Sequence, residues 1–322
     1  VVYLFPALAM VVGYDGLVHW YSIWRKRSSA MDPKRVALLA AVILFLAIGF
    51  LTARDYFVRW ANAPEVRVQY EATMVTALEY LDDLSGGTAA ISTITPGPYH
   101  SPAVAQLTVH NPAVALRWFD GRESLLLPGD SSAMLVLPGF TPLPEALEPY
   151  LAGLDLSDEL PLRSNDFDRP VRIYAVDGPA LASSALSTMS QNAVGTDLPV
   201  AFGEHIELLG YDLLFNEARP GESITLVTAW RLLQPLPEAM LFVHLMETPE
   251  PLAQPDSLGA PGELWAAGDV LLQLHKLNLP PDLAAGNYPL AVGVYTQNDG
   301  RRLSMNDGRD WLPLATLSVS HE

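Results

Sequence analysis

Hydrophobic positions follow three regimes along the chain. Val36 to Ala53 is an 18-residue run without a charge. At about 1.5 Å per residue it spans roughly 27 Å, close to the hydrocarbon core of a bilayer. A soluble helix of that length would carry a polar face, and this one carries none. Val1 to Val12 is a second apolar run, followed by Gly13, Asp15, Gly16 and His19, then by Trp20, Tyr21 and Trp24. The pattern predicts two transmembrane helices within residues 1–53, with an aromatic belt before a basic loop and Asp15 nearing the interface. A signal peptide fits poorly, because the positive residues follow the apolar run instead of preceding it. The short first run and the Val-Val start point to a fragment of a longer polytopic chain.

Beyond residue 53 the period changes. Val66, Tyr70, Met74, Ala77, Leu78 and Leu81 recur at three- and four-residue steps, which predicts one helix over Pro64 to Leu84, stopped by Gly86-Gly87. Short apolar runs follow at Thr88–Thr95, Ala113–Phe119, Ser124–Leu127 and Ser132–Leu137, with a helical pattern over Leu143–Leu154 and a strand at Val171–Val176. Helices alternating with short strands predict a small α/β domain over residues 54–180. Residues 181–198, rich in Ala, Ser, Thr and Asn, read as a linker or an extended crossing segment. The third regime is all-β: strand-length runs at Ile206–Phe215, Ser223–Leu232, Met240–Glu247, Asp269–Leu277, Gly286–Tyr295 and Trp311–Val319. Turns at Arg219-Pro-Gly-Glu222, Leu279-Pro-Pro-Asp282 and Asn298-Asp-Gly300 separate several of them. Residues 199–322 therefore read as a β-sandwich, and the whole as a membrane-anchored multidomain protein.

Charge adds an orientation. Arg25, Lys26, Arg27, Lys34 and Arg35 are the only basic residues before Arg54. By the positive-inside rule this cluster is cytoplasmic and residues 54–322 lie outside. That external part holds 34 acidic against 14 basic residues, which argues against nucleic acid or anionic headgroups as its main partner. Cysteine is absent, so stability must come from burial and not from disulfides.

Candidate chemistry is sparse. Tyr99-His100 follows a predicted strand through Pro96-Gly97-Pro98, where a parallel sheet gathers ligand groups at its carboxyl edge. Beside three turn residues, the same His reads more simply as a solvated loop residue. Trp118 and Asp120 could set an aromatic face beside a carboxylate to hold a sugar ring, or simply end a strand in an Asp-Gly turn. These four are the candidate substrate-binding residues; no catalytic residue is assigned. Asp155, Asp158, Glu159, Asp166 and Asp168 form an acidic run without the ladder of a calcium loop, and no His pair has zinc spacing, so neither metal nor cofactor is expected. His244, His275, Trp230, Trp265 and Tyr295 are further possible carbohydrate contacts, or packing residues of the sandwich.

Tyr3-Leu-Phe-Pro-Ala-Leu8, the basic loop, the last apolar run and Arg54-Asp-Tyr-Phe-Val-Arg-Trp-Ala61 at its exit together resemble the C-terminal end of bacterial glycosyltransferase family 39 proteins, relatives of protein O-mannosyltransferases. The resemblance covers about residues 1–180. Phe202-Gly203, Ile206-Glu-Leu-Leu-Gly-Tyr211 and Arg219-Pro-Gly221 resemble a β-sandwich module appended to some of them. The resemblance implies a multi-pass enzyme of the bacterial cell membrane. It would transfer a sugar from a polyprenyl-phosphate donor to a glycan, lipid or protein acceptor on the extracytoplasmic face. In that family the catalytic acidic residues lie in the first external loop, and no residue here matches them. The alternative is a non-enzymatic, membrane-anchored cell-envelope protein that binds carbohydrate or protein.

Overall fold

A computed structural model describes residues 4–25, 33–214, 217–247 and 250–321. The chain divides into two compact units, Val1–Tyr70 and Glu71–Glu322.

The first unit is helical. Helix α1 (Leu4–Arg25) lies along α2 (Pro33–Ala53), and a π-helical segment, Arg54–Trp60, prolongs α2. Tyr21 and Ala37 are buried, while most other described side chains of these helices are exposed. Lys34–Trp60 is one helix long and apolar enough to cross a membrane, with only 6% of its most apolar window covered by the rest of the chain. The expectation of two such spans is corrected: among the described residues α1 does not qualify. Gly13, Asp15, Gly16, His19 and Ser22 dilute its second half below the hydropathy that a span needs. Tyr3, Lys26 and Arg27 lie outside the described residues. At the exit, Tyr56 stacks on Trp60 with ring centres 4.8 Å apart, and Tyr70 meets Trp60 edge-on at 5.9 Å. Asp55 pairs with Arg54 and Arg59 at 2.9 and 3.2 Å. The single helix expected over Pro64–Leu84 is two, α3 (Pro64–Gln69) and α4 (Ala72–Asp82), interrupted at Glu71, whose φ is +51°.

The second unit begins with α4 and six strands: β1 (Gly87–Ser92), β2 (Val114–Phe119), β3 (Ser124–Leu127), β4 (Ala133–Leu137), β5 (Asp158–Leu160) and β6 (Val171–Val176). Five of them form a mixed sheet in the order β2-β1-β4-β6-β5, in which β1 runs parallel to β2 and β4, and β6 antiparallel to both its neighbours. Helix α4 and α5 (Ser101–Thr108) cover one face: Met74, Leu78 and Leu81 pack with Ala105, Ile91, Trp118 and Val136. The region over Leu143–Leu154, expected to be helical, keeps only a short 3-10 turn at Glu148–Leu151. Pro144 and Pro149 withhold amide donors, and Gly153 turns out with φ +86°.

The opposite face of that sheet, through Phe119, Leu135 and Leu137, belongs to a larger core shared with the rest of the unit. The supposed linker is not free chain. Helix α6 (Gly178–Ser187) starts with Asp177 accepting the Ala180 amide at 2.9 Å and buries Leu181, Ala182 and Ala185. A small hairpin, β7 (Asn192–Ala193) and β8 (Thr196–Asp197), follows. Alanine at the buried positions hid the period.

The remaining strands are β9 (Val200–Phe202), β10 (Ile206–Leu213), β11 (Glu217–Ala218), β12 (Ser223–Leu232), β13 (Ala239–Glu247), β14 (Glu250–Ala253), β15 (Asp256–Ser257), β16 (Val270–Asn278), β17 (Gly286–Thr296), β18 (Arg301–Arg302) and β19 (Leu312–Val319). Phe215, expected to close the first long strand, lies outside the described residues. One sheet runs β3-β16-β12-β10-β9; the other runs β11-β19-β17-β13-β14, with β15 on β13 and β18 on β17. Trp230, Leu226, Leu241, Val243, Leu290 and Val292 fill the sandwich-like core. Strand β3 leaves the neighbourhood of the mixed sheet to pair with β16, Leu127 opposite Val270 and Ser124 opposite Gln273. Arg117 on β2 reaches Asp269 at 3.1 Å, and the other oxygen of Asp269 accepts the Gly129 amide at 2.8 Å. The α/β and all-β regions are thus tied by a shared strand, a buried ion pair and one core, and the chain does not divide at residue 180.

Candidate functional site

The carboxyl edge of the parallel strands is the natural place to look. From β1 the chain crosses through α5 to β2 on one side, and β4 flanks β1 on the other. Loops leaving β1 and β4 therefore diverge, which is where open α/β sheets gather ligands. Ser92 ends β1, and its hydroxyl donates to Thr141 Oγ1 in the loop after β4 at 2.7 Å. Beside it, Ser101 at the start of α5 donates its one proton to Glu71 Oε2 at 3.1 Å. The hydroxyls of Thr93 and Thr95, 2.7 and 3.1 Å from Ser101 Oγ, must then donate to it.

This cluster is closed. Ser92, Thr93, Ser101 and Thr141 have almost no exposed surface. Every one of their hydroxyls has a protein partner, which leaves nothing for a substrate to displace at low cost. The Ser101–Glu71 pair places a hydroxyl beside a carboxylate, the first step of a nucleophile relay, yet Ser101 is buried and no imidazole joins the pair among the described residues.

The sequence-predicted residues surround the cluster unequally. Tyr99 stands 90% exposed at the tip of the loop after β1. His100 is exposed beside Gly97, and its carbonyl accepts the Ala103 and Val104 amides as α5 begins. Asp120 is on the same edge but fully engaged: Arg122 grips its carboxylate at 2.6 Å through Nη2 and 2.9 Å through Nε. Hydrogen bonding to Asp120 holds the Arg122 guanidinium above its ordinary range, and burial, with Asp120 nearby, pushes the Glu123 carboxyl up. Arg122 also touches the Ile94 carbonyl at 3.4 Å, which joins the Asp120 turn to the Tyr99-His100 loop. Trp118 is not at this surface. It is buried beneath α4 and α5, so its ring is packed and not offered to a ligand.

The acidic run disperses. Asp168 accepts the Thr73 hydroxyl at 2.5 Å, Asp166 caps the Arg163 amide, and Asp158 lies in β5. Among the described residues no group of three or more His, Asp or Glu converges on a point where a metal could sit.

In the sandwich, Trp230, Trp265 and His275 are interior. Trp230 Nε1 donates to Thr228 Oγ1 at 2.7 Å, and His275 Nε2 lies 2.9 Å from the same oxygen. Among the described residues His275 Nδ1 has no hydrogen-bond partner, and burial pulls the imidazole down to about 3. Trp265 Nε1 donates to the Ala260 carbonyl at 2.9 Å. His244 is nearly covered. Burial lowers its affinity for a proton, and Asp256, 3.2 Å away, only partly restores it. Tyr295 donates to the other Asp256 oxygen at 3.0 Å; burial and that carboxylate raise its phenol.

Two features escaped the sequence. Tyr150 donates to Asp212 at 3.0 Å, with the phenol pushed up by burial and by that carboxylate. A cleft of about 530 Å³ opens between the turn over residues 203–205 and the hairpin over residues 296–304. Its signal was present in Asn298-Asp-Gly300 followed by Arg301-Arg302, two adjacent cations in an acid-rich region.

No family model matches the chain, and no curated protein matches it. Among solved structures, the chain is similar to the C-terminal domain of wzt at 15% identity, over 38% of this chain and 78% of that one, with a TM-score of 0.27. It is also similar to Spo0M, the sporulation control protein of Bacillus subtilis, at 14% identity, over 37% of this chain and half of that one, with a TM-score of 0.18. Both are distant, and neither identifies the chain. The glycosyltransferase resemblance finds no counterpart among them.

Proposed function

We propose that this chain is the membrane-tethered, acceptor-handling part of a polytopic bacterial glycosyltransferase that takes its sugar from a polyprenyl-phosphate donor. The observation that carries the reading is the order of parts. Basic Lys34 and Arg35 precede an apolar helix whose far end bears the exposed rings of Tyr56, Phe57 and Trp60, and a folded body of about 250 residues follows. That order suits a helix crossing the cell membrane with its basic end in the cytoplasm and its aromatic end at the outer interface. The body then stands on the extracytoplasmic face, where lipid-linked donors are used. Its carboxyl-edge cluster is saturated with internal hydrogen bonds, which argues against bond-making at that cluster. The catalytic carboxylates that the resemblance implies match no residue here and would come from elsewhere in the enzyme.

The test is transfer of labelled sugar from a polyprenyl-phosphate donor by membranes carrying the whole gene product. Transfer is expected, and His100→Ala should lower kcat/KM if the exposed Tyr99-His100 loop meets the acceptor. A reporter fused after Trp60 should report an extracytoplasmic location. Cytoplasmic signal there would overturn the orientation. Absence of transfer, with retained binding of a polysaccharide, would establish the second reading, a non-enzymatic binding protein of the cell envelope. The cleft at the sandwich tip favours that second reading, because a binding site there needs no transferase.

A further inference from the structure

The tip cleft carries two adjacent cations, Arg301 and Arg302. Arg117, Arg122, Arg231 and Arg309 each engage a carboxylate within 3.1 Å. Arg301 and Arg302 form no ion pair among the described residues, although the chain carries 36 acidic residues. They are also held in place. Asp299 Oδ1 accepts the Arg301 amide at 3.0 Å and the Thr296 hydroxyl at 2.5 Å, which fixes the turn. Gly300 completes that turn with φ +67°, a conformation costly for other residues. Arg302 pairs with Tyr295 in the strand ladder, and its guanidinium carbon sits 4.7 Å over the ring of Phe242. That ring is itself seated against Gly293, where an added Cβ would come within 2.3 Å of it. The cation is thus placed against an aromatic face.

The other wall supplies further polar groups. His205 Nδ1 lies 3.0 Å from the Pro235 carbonyl, which can only accept, so that nitrogen carries the proton and Nε2 is an acceptor. Asn298 and Ser304 line the same space, as do the carboxylates Glu204 and Asp299. Its volume of about 530 Å³ falls in the range of about 300–1,000 Å³ typical of small-molecule sites. Planar guanidinium forks match carboxylate and phosphate oxygens, while Asn, Ser, Glu and His suit the hydroxyls of a sugar ring.

We propose that this cleft binds a hexose bearing an anionic group, a carboxylate or a phosphate, with Arg301 and Arg302 meeting the anion. The site stands apart from the transferase reading, since it requires no sugar transfer. Its test is calorimetric titration of the full chain in nanodiscs, at low ionic strength, with glucose 6-phosphate, glucuronate, glucose and inorganic phosphate. Saturable binding of glucose 6-phosphate or glucuronate is expected, and the tighter of the two fixes the anion class. Glucose alone should bind at least tenfold more weakly. Arg301→Gln should weaken the anionic sugar at least tenfold, and Arg302→Lys, which keeps the charge but loses the fork, should weaken it measurably. Unchanged thermal unfolding of Arg301→Gln separates this from misfolding. Three outcomes would each overturn the site: no saturable binding of either anionic sugar, equal affinity in the Arg301→Gln variant, or inorganic phosphate binding as tightly as the sugar phosphate.

Discussion

The carboxyl edge of the mixed sheet and the tip of the sandwich are both rich in polar side chains, and they use them in opposite ways. At the edge, hydroxyl meets hydroxyl until the chain of donors ends on Glu71, and Asp120 is consumed by Arg122. At the tip, a turn holds the Arg301 backbone and an aromatic ring seats the Arg302 guanidinium, and neither arginine forms an ion pair among the described residues. The density of polar groups is therefore a poor guide to a site. What matters is whether their hydrogen-bonding capacity is spent inside the protein or left over.

The largest expected effect tests the claim that internal pairing serves the fold. Asp269 is buried, and burial pushes its carboxyl up despite the opposing pull of the Gly129 amide and Arg117. Asp269→Ala strands the Arg117 guanidinium and the Gly129 amide together. It should cost about 3 kcal/mol in urea unfolding, toward the low end for broken buried pairs because Arg117 keeps some solvent. A loss below about 1 kcal/mol would mean that the two regions are held by apolar packing alone.

Next comes the sandwich interior. His275 is neutral in the fold down to about pH 3, whereas the unfolded chain takes up the proton near 6.5. Below pH 6.5 the unfolded state binds more protons, so stability falls as pH drops and stops falling from this source near pH 3. The slope is about 1.4 kcal/mol per pH unit from this one group. His275→Gln keeps an acceptor for Thr228 and should remove this slope, so that the two stability curves are not parallel over that window. Parallel curves for the two proteins would contradict the assignment.

Smaller effects divide the two polar regions directly. Ser101→Ala leaves the Thr93 and Thr95 hydroxyls without their acceptor and should cost about 1–2 kcal/mol of stability. Arg301→Gln leaves no buried group unpaired and should change stability by less than about 0.5 kcal/mol. Equal losses in thermal unfolding would erase the contrast between edge and tip.

Much of the strand pattern was legible because alternation and turn residues are local signals. Ser124–Leu127, Val171–Val176 and Ser223–Leu232 stand where their apolar runs placed them. The partner of β3 was not legible, since a run buried on every residue says nothing about which sheet receives it. Helix α6 hid behind small residues, and the pattern over Leu143–Leu154 misled because Pro144 and Pro149 break a helix that its leucines suggested. A second membrane span was overread from Val1–Val12, where apolar character does not extend through Asp15 and His19. Among the candidate site residues, the loop placement of Tyr99 and His100 followed from Pro96-Gly97-Pro98. The burial of Trp118 and the capture of Asp120 by Arg122 depend on neighbours that only the fold supplies. The tip cleft joins turns some 90 residues apart in sequence, which no spacing rule connects.

Hydrogen-exchange mass spectrometry of the intact protein, with and without saturating glucose 6-phosphate or glucuronate, tests the contrast most directly. Protection should appear over residues 203–205 and 296–304 and be absent over residues 93–101. Protection at 93–101 with none at the tip would show that the saturated edge, and not the unpaired arginines, receives the ligand.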